Sequence, residues 1–151
     1  MPEVEYRTIE GVPNKEVLSL VLKVSDDAFS NKGDITEYQR HLAGKRNILT
    51  CLALNNGEPV GFKIGYEDRQ HYFESWRGGV VENARRKGIA DQLTRHQHAW
   101  CEQQGFRIIT TICSNENVAM LILNFRHGLR ITGSYFDRGQ HLKLILQKHL
   151  T

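Results

Sequence analysis

Val80-Val81-Glu82-Asn83-Ala84-Arg85-Arg86-Lys87-Gly88-Ile89-Ala90 joins a β-branched run to a stretch of helical period. A helix N-terminus leaves about four backbone N–H groups without partners, and its dipole favours negative charge. Gly88 and the small Ala90 let a phosphate-sized group approach that backbone. Arg85, Arg86 and Lys87 add positive charge beside it. Together these features read as a pyrophosphate cradle. One dipole contact is worth only about 0.3–2 kcal/mol, so several amides must converge to hold a ligand. Taken alone, the segment also admits a plain basic helix start whose glycine serves packing.

Beyond the cradle, residues 88–104 carry Ile89, Leu93 and Trp100 at helical spacing and stop at Gly105. Residues 106–112 form a short β-branched run, and residues 118–126 an apolar helix closed by Gly128. Residues 131–136 and 141–146 read as a hairpin around Asp137-Arg138-Gly139. Before the cradle, residues 4–9 alternate as a strand. Asn14 caps a helix reaching Phe29, and Asp34 with Glu37 resembles a capping box for a shorter one ending at Gly44. Residues 48–54 and 60–66 form strands joined through Asn55-Asn56-Gly57. Residues 71–81 continue as a third strand, interrupted at Gly78-Gly79, where a bulge or a close backbone approach is expected. The order β-α-α-β-β-β-α-β-α-β-β predicts an α/β (α+β) fold. Its sheet is mixed, mostly antiparallel, with about six or seven strands and about four helices.

Arg85-x-x-Gly88-x-Ala90 after a strand resembles the Gln/Arg-x-x-Gly-x-Gly/Ala motif of the GNAT superfamily of N-acetyltransferases, which binds the pyrophosphate of acetyl-coenzyme A. Asn117-Val118-Ala119-Met120-Leu121-Ile122-Leu123-Asn124-Phe125-Arg126-His127-Gly128-Leu129 resembles the same superfamily's second block. The element order agrees with it over essentially the whole chain. The resemblance implies that backbone groups of Val80 and Val81 pair with the pantetheine arm like a missing strand. It implies that the amides of Arg86, Lys87, Gly88, Ile89 and Ala90 hold the pyrophosphate, and that Asn117 helps place the pantetheine. Gly78-Gly79 fits the strand splay that admits the acyl group, or a simple bulge.

Acetyl transfer needs a neutral amine, a stabiliser for the thioester oxygen, and in some enzymes an acid for the leaving thiolate. Many GNAT enzymes use a tyrosine of the second block as that acid. Here Asn124 stands at the position, and an amide donates a hydrogen bond but delivers no proton. Tyr135 on the next strand is a candidate substitute, with an ordinary sheet aromatic as the alternative. Glu74, on the strand before the cradle, is the candidate base, as histone-acetylating GNAT members similarly carry a glutamate there. The bland alternative for Glu74 is a solvated carboxylate. Tyr66 and Trp76 are candidates to line the acceptor groove, or else to be core.

The 151 residues fit one domain, expected to span residues 1–151. Hydrophobic residues at 40% and charged ones at 25% argue against disorder. No apolar run approaches the roughly 20 residues a membrane helix needs, so no membrane partner is expected. Cys51, Cys101 and Cys113 fit neither a disulfide framework nor a zinc ribbon, which points to a reducing cytoplasm. His96 and His98 fall on different helix faces, and no metal is expected. A net charge of +3 and pI near 8.8 admit nucleic-acid contact, but the basic residues are scattered, which favours a slightly basic enzyme. The expected partners are acetyl-CoA as co-substrate and a small-molecule or peptide amine as acceptor. A homodimer is the default assembly. Residues 30–33 and 137–140 are expected to shape the acceptor site. An acyl-CoA sensor without turnover is the second reading, kept open by Asn124.

Overall fold

The computed structural model describes residues 3–29 and 32–150. Ser30 and Asn31, half of the first expected acceptor loop, lie outside the described residues. The elements run β1 (Val4–Glu10), α1 (Lys15–Phe29), α2 (Ile35–Leu42), β2 (Arg46–Asn55), β3 (Glu58–Arg69) and β4 (Tyr72–Val80). There follow α3 (Ile89–Gln103), β5 (Ile108–Ser114), α4 (Val118–Arg126), β6 (Arg130–Phe136) and β7 (Leu142–His149). This is the order expected from the sequence.

Local chemistry sets the boundaries. The Asn14 side chain accepts from the Val17 N–H at 2.8 Å and opens α1. Asp34 does the same for α2, accepting from Thr36 at 3.0 Å. The returning arm of the expected capping box is used elsewhere: Glu37 reaches Arg77 on β4 at 3.3 Å. Asn56 and Gly57 both have positive φ, 51° and 81°, as a two-residue type I′ hairpin requires. That turn sets Asn55 opposite Glu58 and with it the β2–β3 register.

The seven strands form one sheet in the order β1-β2-β3-β4-β5-β7-β6. All pairs are antiparallel except β4–β5. Helices cover both faces, so β2 is apolar on both sides. Leu49, Cys51 and Ala53 join α3 residues such as Leu93, while Ile48 and Leu52 join Leu18 and Val21 of α1 and Tyr38 of α2. A third cluster gathers Cys113, Leu129, Leu144 and Leu146, with Met120 and Leu121 of α4 packed on it. The three cysteines are buried and unpaired.

Two local expectations need correction. Residue 106 does not start β5; Phe106 precedes it and plugs the α3 side of the core, edge-on to Phe73 at 5.4 Å. The bulge in β4 is at Trp76, not at the glycine pair. Ile64 faces Arg77 and Gly65 faces Ser75, which leaves Trp76 as the extra residue. Gly78 and Gly79 sit in regular pairs with Lys63 and Phe62. They are bare because their neighbours come close: a Cβ would lie 3.0 Å from the Phe62 carbonyl at Gly78 and 3.0 Å from Ala28 Cβ at Gly79.

Candidate functional site

β4 and β5 pair over three rungs only, from Tyr72 opposite Ile108 to Glu74 opposite Thr110. Beyond them each strand follows a different neighbour. β4 stays with β3 as far as Val80 opposite Gly61, and β5 stays with β7 as far as Ser114 opposite Lys143. The strand twist then drives the two apart. Thr111 Oγ1 donates to the Ser75 carbonyl at 2.8 Å where they begin to separate. Past that point the free edge of β4 borders a cleft of about 590 Å³ walled by α3 and α4.

The segment between β4 and α3 builds one end of this cleft. A short 3₁₀ turn, Glu82–Ala84, precedes it and had no signal in the sequence. Arg86 and Gly88 both take left-handed backbone conformations, with φ of 64° and 78°. Such geometry is costly for arginine and persists only where the surroundings enforce it. No side chain caps α3, so its first N–H groups have no capping partner. A Cβ on Gly88 would meet nothing within 4 Å, so the space above that backbone is free. Arg86, Gly88, Ile89 and Ala90 line the cleft.

The other basic residues are used differently. Arg85 lines the cleft too, but its guanidinium donates to the carbonyls of Val80 at 3.2 Å and Ala28 at 3.3 Å. It ties the loop to the end of α1. Lys87 is exposed and does not line the cleft. Val80 lines the cleft, whereas the Val81 N–H donates to the Val60 carbonyl at 2.9 Å and so faces β3. Of the two valines expected beside the cofactor, the cleft lining includes Val80 and not Val81.

Asn117, Met120 and Leu123 form the α4 wall. The Asn117 side-chain oxygen caps α4, accepting from Met120 N–H at 3.2 Å, which leaves its NH₂ group for a ligand. Asp91, on the first turn of α3, holds the two walls together. It accepts from His127 Nε2 at 2.8 Å and from Arg126 at 3.0 and 3.1 Å. Burial acts to raise its carboxyl, but these bonds outweigh it and hold the pKa below the usual value.

Glu74 does not line the cleft; it occupies the last β4–β5 rung, where the strands part. Its neighbour across the ladder is Tyr66, whose hydroxyl donates to Glu74 Oε2 at 2.9 Å. His41 of α2 bonds that hydroxyl through Nε2 at 2.7 Å and stacks flat on Trp76 at 3.9 Å. Burial and the charges of Lys45 and Arg77 lower the His41 pKa, Glu37 only partly opposing them. Tyr66 and Trp76 thus combine with Tyr38, His41 and Arg77 in one aromatic and charged bed on the α1–α2 face.

The other two expected catalytic residues lie elsewhere. Asn124 is buried in α4 and does not line the cleft; its carbonyl accepts from the Leu129 and His127 N–H groups as the helix closes. Tyr135 is exposed on β6, at the sheet edge, with β7 and β5 between it and β4. The sequence reading missed Asp91, Arg126, His41 and Lys63, a lysine of β3 that lines the cleft beside Gly78.

The profile of the acetyltransferase (GNAT) family matches residues 17–124, most of the chain, including α3, β5 and most of α4. The chain belongs to the GNAT family. Solved structures repeat its fold. The ribosomal-protein-S18-alanine N-acetyltransferase of Escherichia coli superposes with a TM-score of 0.80 at 13% identity, covering 96% of this chain and 95% of that one. A chain of the NatC complex bound to Gag peptide and CoA gives 0.80 at 20% identity, covering 99% of each. A GNAT family acetyltransferase from Elizabethkingia anophelis with acetyl-CoA bound gives 0.72 at 17% identity, covering 97% and 98%. No curated protein matches the sequence. These GNAT neighbours include N-acetyltransferases and structures solved with CoA or acetyl-CoA.

Proposed function

We propose that this chain is an acetyl-CoA-dependent N-acetyltransferase that moves an acetyl group to a primary amine of a small molecule, peptide or protein. The observation that carries the reading is the splayed β4–β5 cleft, which ends on the uncapped N-terminus of α3 beside the left-handed Arg86 and Gly88. In this reading the amides of the Arg86–Ala90 turn hold the pyrophosphate. The pantetheine arm runs along Val80 and past Asn117, and the thioester reaches the level of Gly78.

The acceptor arrives from the α1–α2 face. Glu74, oriented by Tyr66, takes the ammonium proton directly or through water. The amine nitrogen bonds to the carbonyl carbon, the C–S bond breaks, and coenzyme A leaves. A lysine-type amine, pKa about 10.4, costs about 4.6 kcal/mol to deprotonate at pH 7, and an α-amino group only about 1–1.4. A low-pKa amine is therefore the easier acceptor. Three buried free thiols suit a reducing cytoplasm.

One observation favours a second reading. Asn124 stands where many GNAT enzymes carry their acid, and it does not line the cleft, as a sensor that binds acyl-CoA without turnover allows. Acetyl-CoA consumption across amino acids, polyamines, aminoglycosides and short peptides separates the two. Turnover with any amine establishes the enzyme; tight binding without turnover establishes the sensor.

A further inference from the structure

A departing thiolate leaves more easily when it is protonated, and Asn124 stands where many GNAT enzymes carry the donor. The ionisable side chains lining the cleft are Lys63, Arg85, Arg86, Asp91 and Arg126. Arginine does not give up a proton near neutral pH. Asp91 is held ionised by His127 and Arg126. Lys63 remains. It pairs with Gly78 across the β3–β4 ladder, and its Cγ lies 3.3 Å from the position a Gly78 Cβ would occupy. The bare glycine lets the lysine chain lie against β4 at the edge of the cleft.

No carboxylate among the described residues pairs with Lys63. It is faced by Cys51, opposite it on β2, and by His98 from α3. Burial pushes the Cys51 thiol up to about 12, so it stays protonated. Burial, with Lys148 and Lys63 close by, pushes His98 down to about 3, so it stays neutral. Neither competes for protons near pH 7. Burial lowers the pKa of the Lys63 ammonium, Cys51 opposing it, which makes it a stronger acid than an ordinary lysine.

We propose that Lys63 is the general acid that protonates the coenzyme A sulfur as it leaves; the inference rests on the N-acetyltransferase reading above. As the amine nitrogen bonds to the carbonyl carbon, the C–S electron pair passes to sulfur and a Nζ proton follows it. Free coenzyme A departs as a thiol, and Lys63 regains, through solvent, the proton the acceptor gave up.

The test uses the intact chain with Lys63→Met, which keeps the length of the side chain, and Lys63→Gln. Coenzyme A is bound and its thiol titrated by thiolate ultraviolet absorbance. A positive Lys63 favours the thiolate, so the bound thiol titrates about one pH unit or more lower in the wild type than in either variant. With acetyl-CoA and an accepted amine, kcat falls about 10²-fold while KM for acetyl-CoA stays within about threefold. Identical thiol titrations, or a loss confined to KM, overturn the role of Lys63 and leave the enzyme reading standing. Failure of the wild type to bind coenzyme A overturns both.

Discussion

His127 Nε2 lies 2.8 Å from Asp91 Oδ1, and this bond fastens the end of α4 to the start of α3 across the cleft. The first turn of α3 and the end of α4 therefore meet in one polar contact. His127→Ala is expected to lose about 1–2 kcal/mol, the usual worth of a part-buried bond to a charged group. At about 2–4 °C per kcal/mol for a chain of this size, the melting temperature falls by about 2–8 °C. Calorimetry of the free protein checks this, and an unchanged melting temperature contradicts the clamp.

Gly88→Val separates conformational strain from ligand contact. A side chain at φ 78° is strained, but in the free protein it meets nothing. Gly105 offers the same conditions, φ 84° and open space, at the far end of α3. Both valine variants are expected to lose about 1–2 kcal/mol of stability. Only Gly88→Val is expected to weaken acetyl-CoA binding, by at least about tenfold, because only there does the added side chain stand over the cradle. Equal affinity in the two variants, measured by calorimetric titration, removes Gly88 from the site.

Stability falls with acid. His98 is driven from an ordinary 6.5 to about 3, so the unfolded chain binds a proton that the native one refuses. Its contribution is complete above pH 6.5 and drains away as pH falls toward 3, at up to about 1.4 kcal/mol per unit. The depressed Asp91 adds a loss in the same direction, beginning lower, near the ordinary carboxylate range of about 4. Urea unfolding between pH 7 and 5 therefore shows a loss of about 2 kcal/mol that His98→Gln largely removes. A flat profile in the wild type contradicts the burial of His98.

Glu74→Gln distinguishes a base from a bystander. Turnover at neutral pH is expected to fall about 10²–10⁴-fold, and the loss to shrink as pH nears the acceptor's own pKa. Cofactor affinity stays constant, since Glu74 does not line the cleft. Tyr66→Phe, which removes the bond orienting the carboxylate together with the one to His41, costs about tenfold. A uniform loss at every pH points to positioning, and no loss makes Glu74 an ordinary strand carboxylate.

The elements, and the turn between β4 and α3, were legible because their signals are local. Gly88, the change from strand to helix period, and the Asn14 and Asp34 caps all act over a few residues. What escaped depends on partners far along the chain. The cleft exists because β4 and β5 keep different neighbours past Glu74, a matter of register among distant strands. At the glycine pair a close approach was one of two readings; its partners, Ala28 and the Phe62 carbonyl, were not legible, and the bulge fell on Trp76 instead. The His41–Tyr66–Glu74 chain joins α2, β3 and β4, and no spacing in the sequence encodes it. Lys63 reads as a solvated strand lysine until α3 is folded over it.

Every role proposed above depends on acetyl-CoA binding in the β4–β5 cleft through the turn leading into α3. Titration of the purified chain with acetyl-CoA, followed by thermal unfolding, measures that binding. At about one hundred times the dissociation constant a single-site ligand stabilises by about 2.7 kcal/mol, which is about 5–11 °C here. Saturable one-site binding, a shift of that size, and its loss in Gly88→Val are expected. No binding and no shift at millimolar acetyl-CoA would contradict a cofactor site in the cleft.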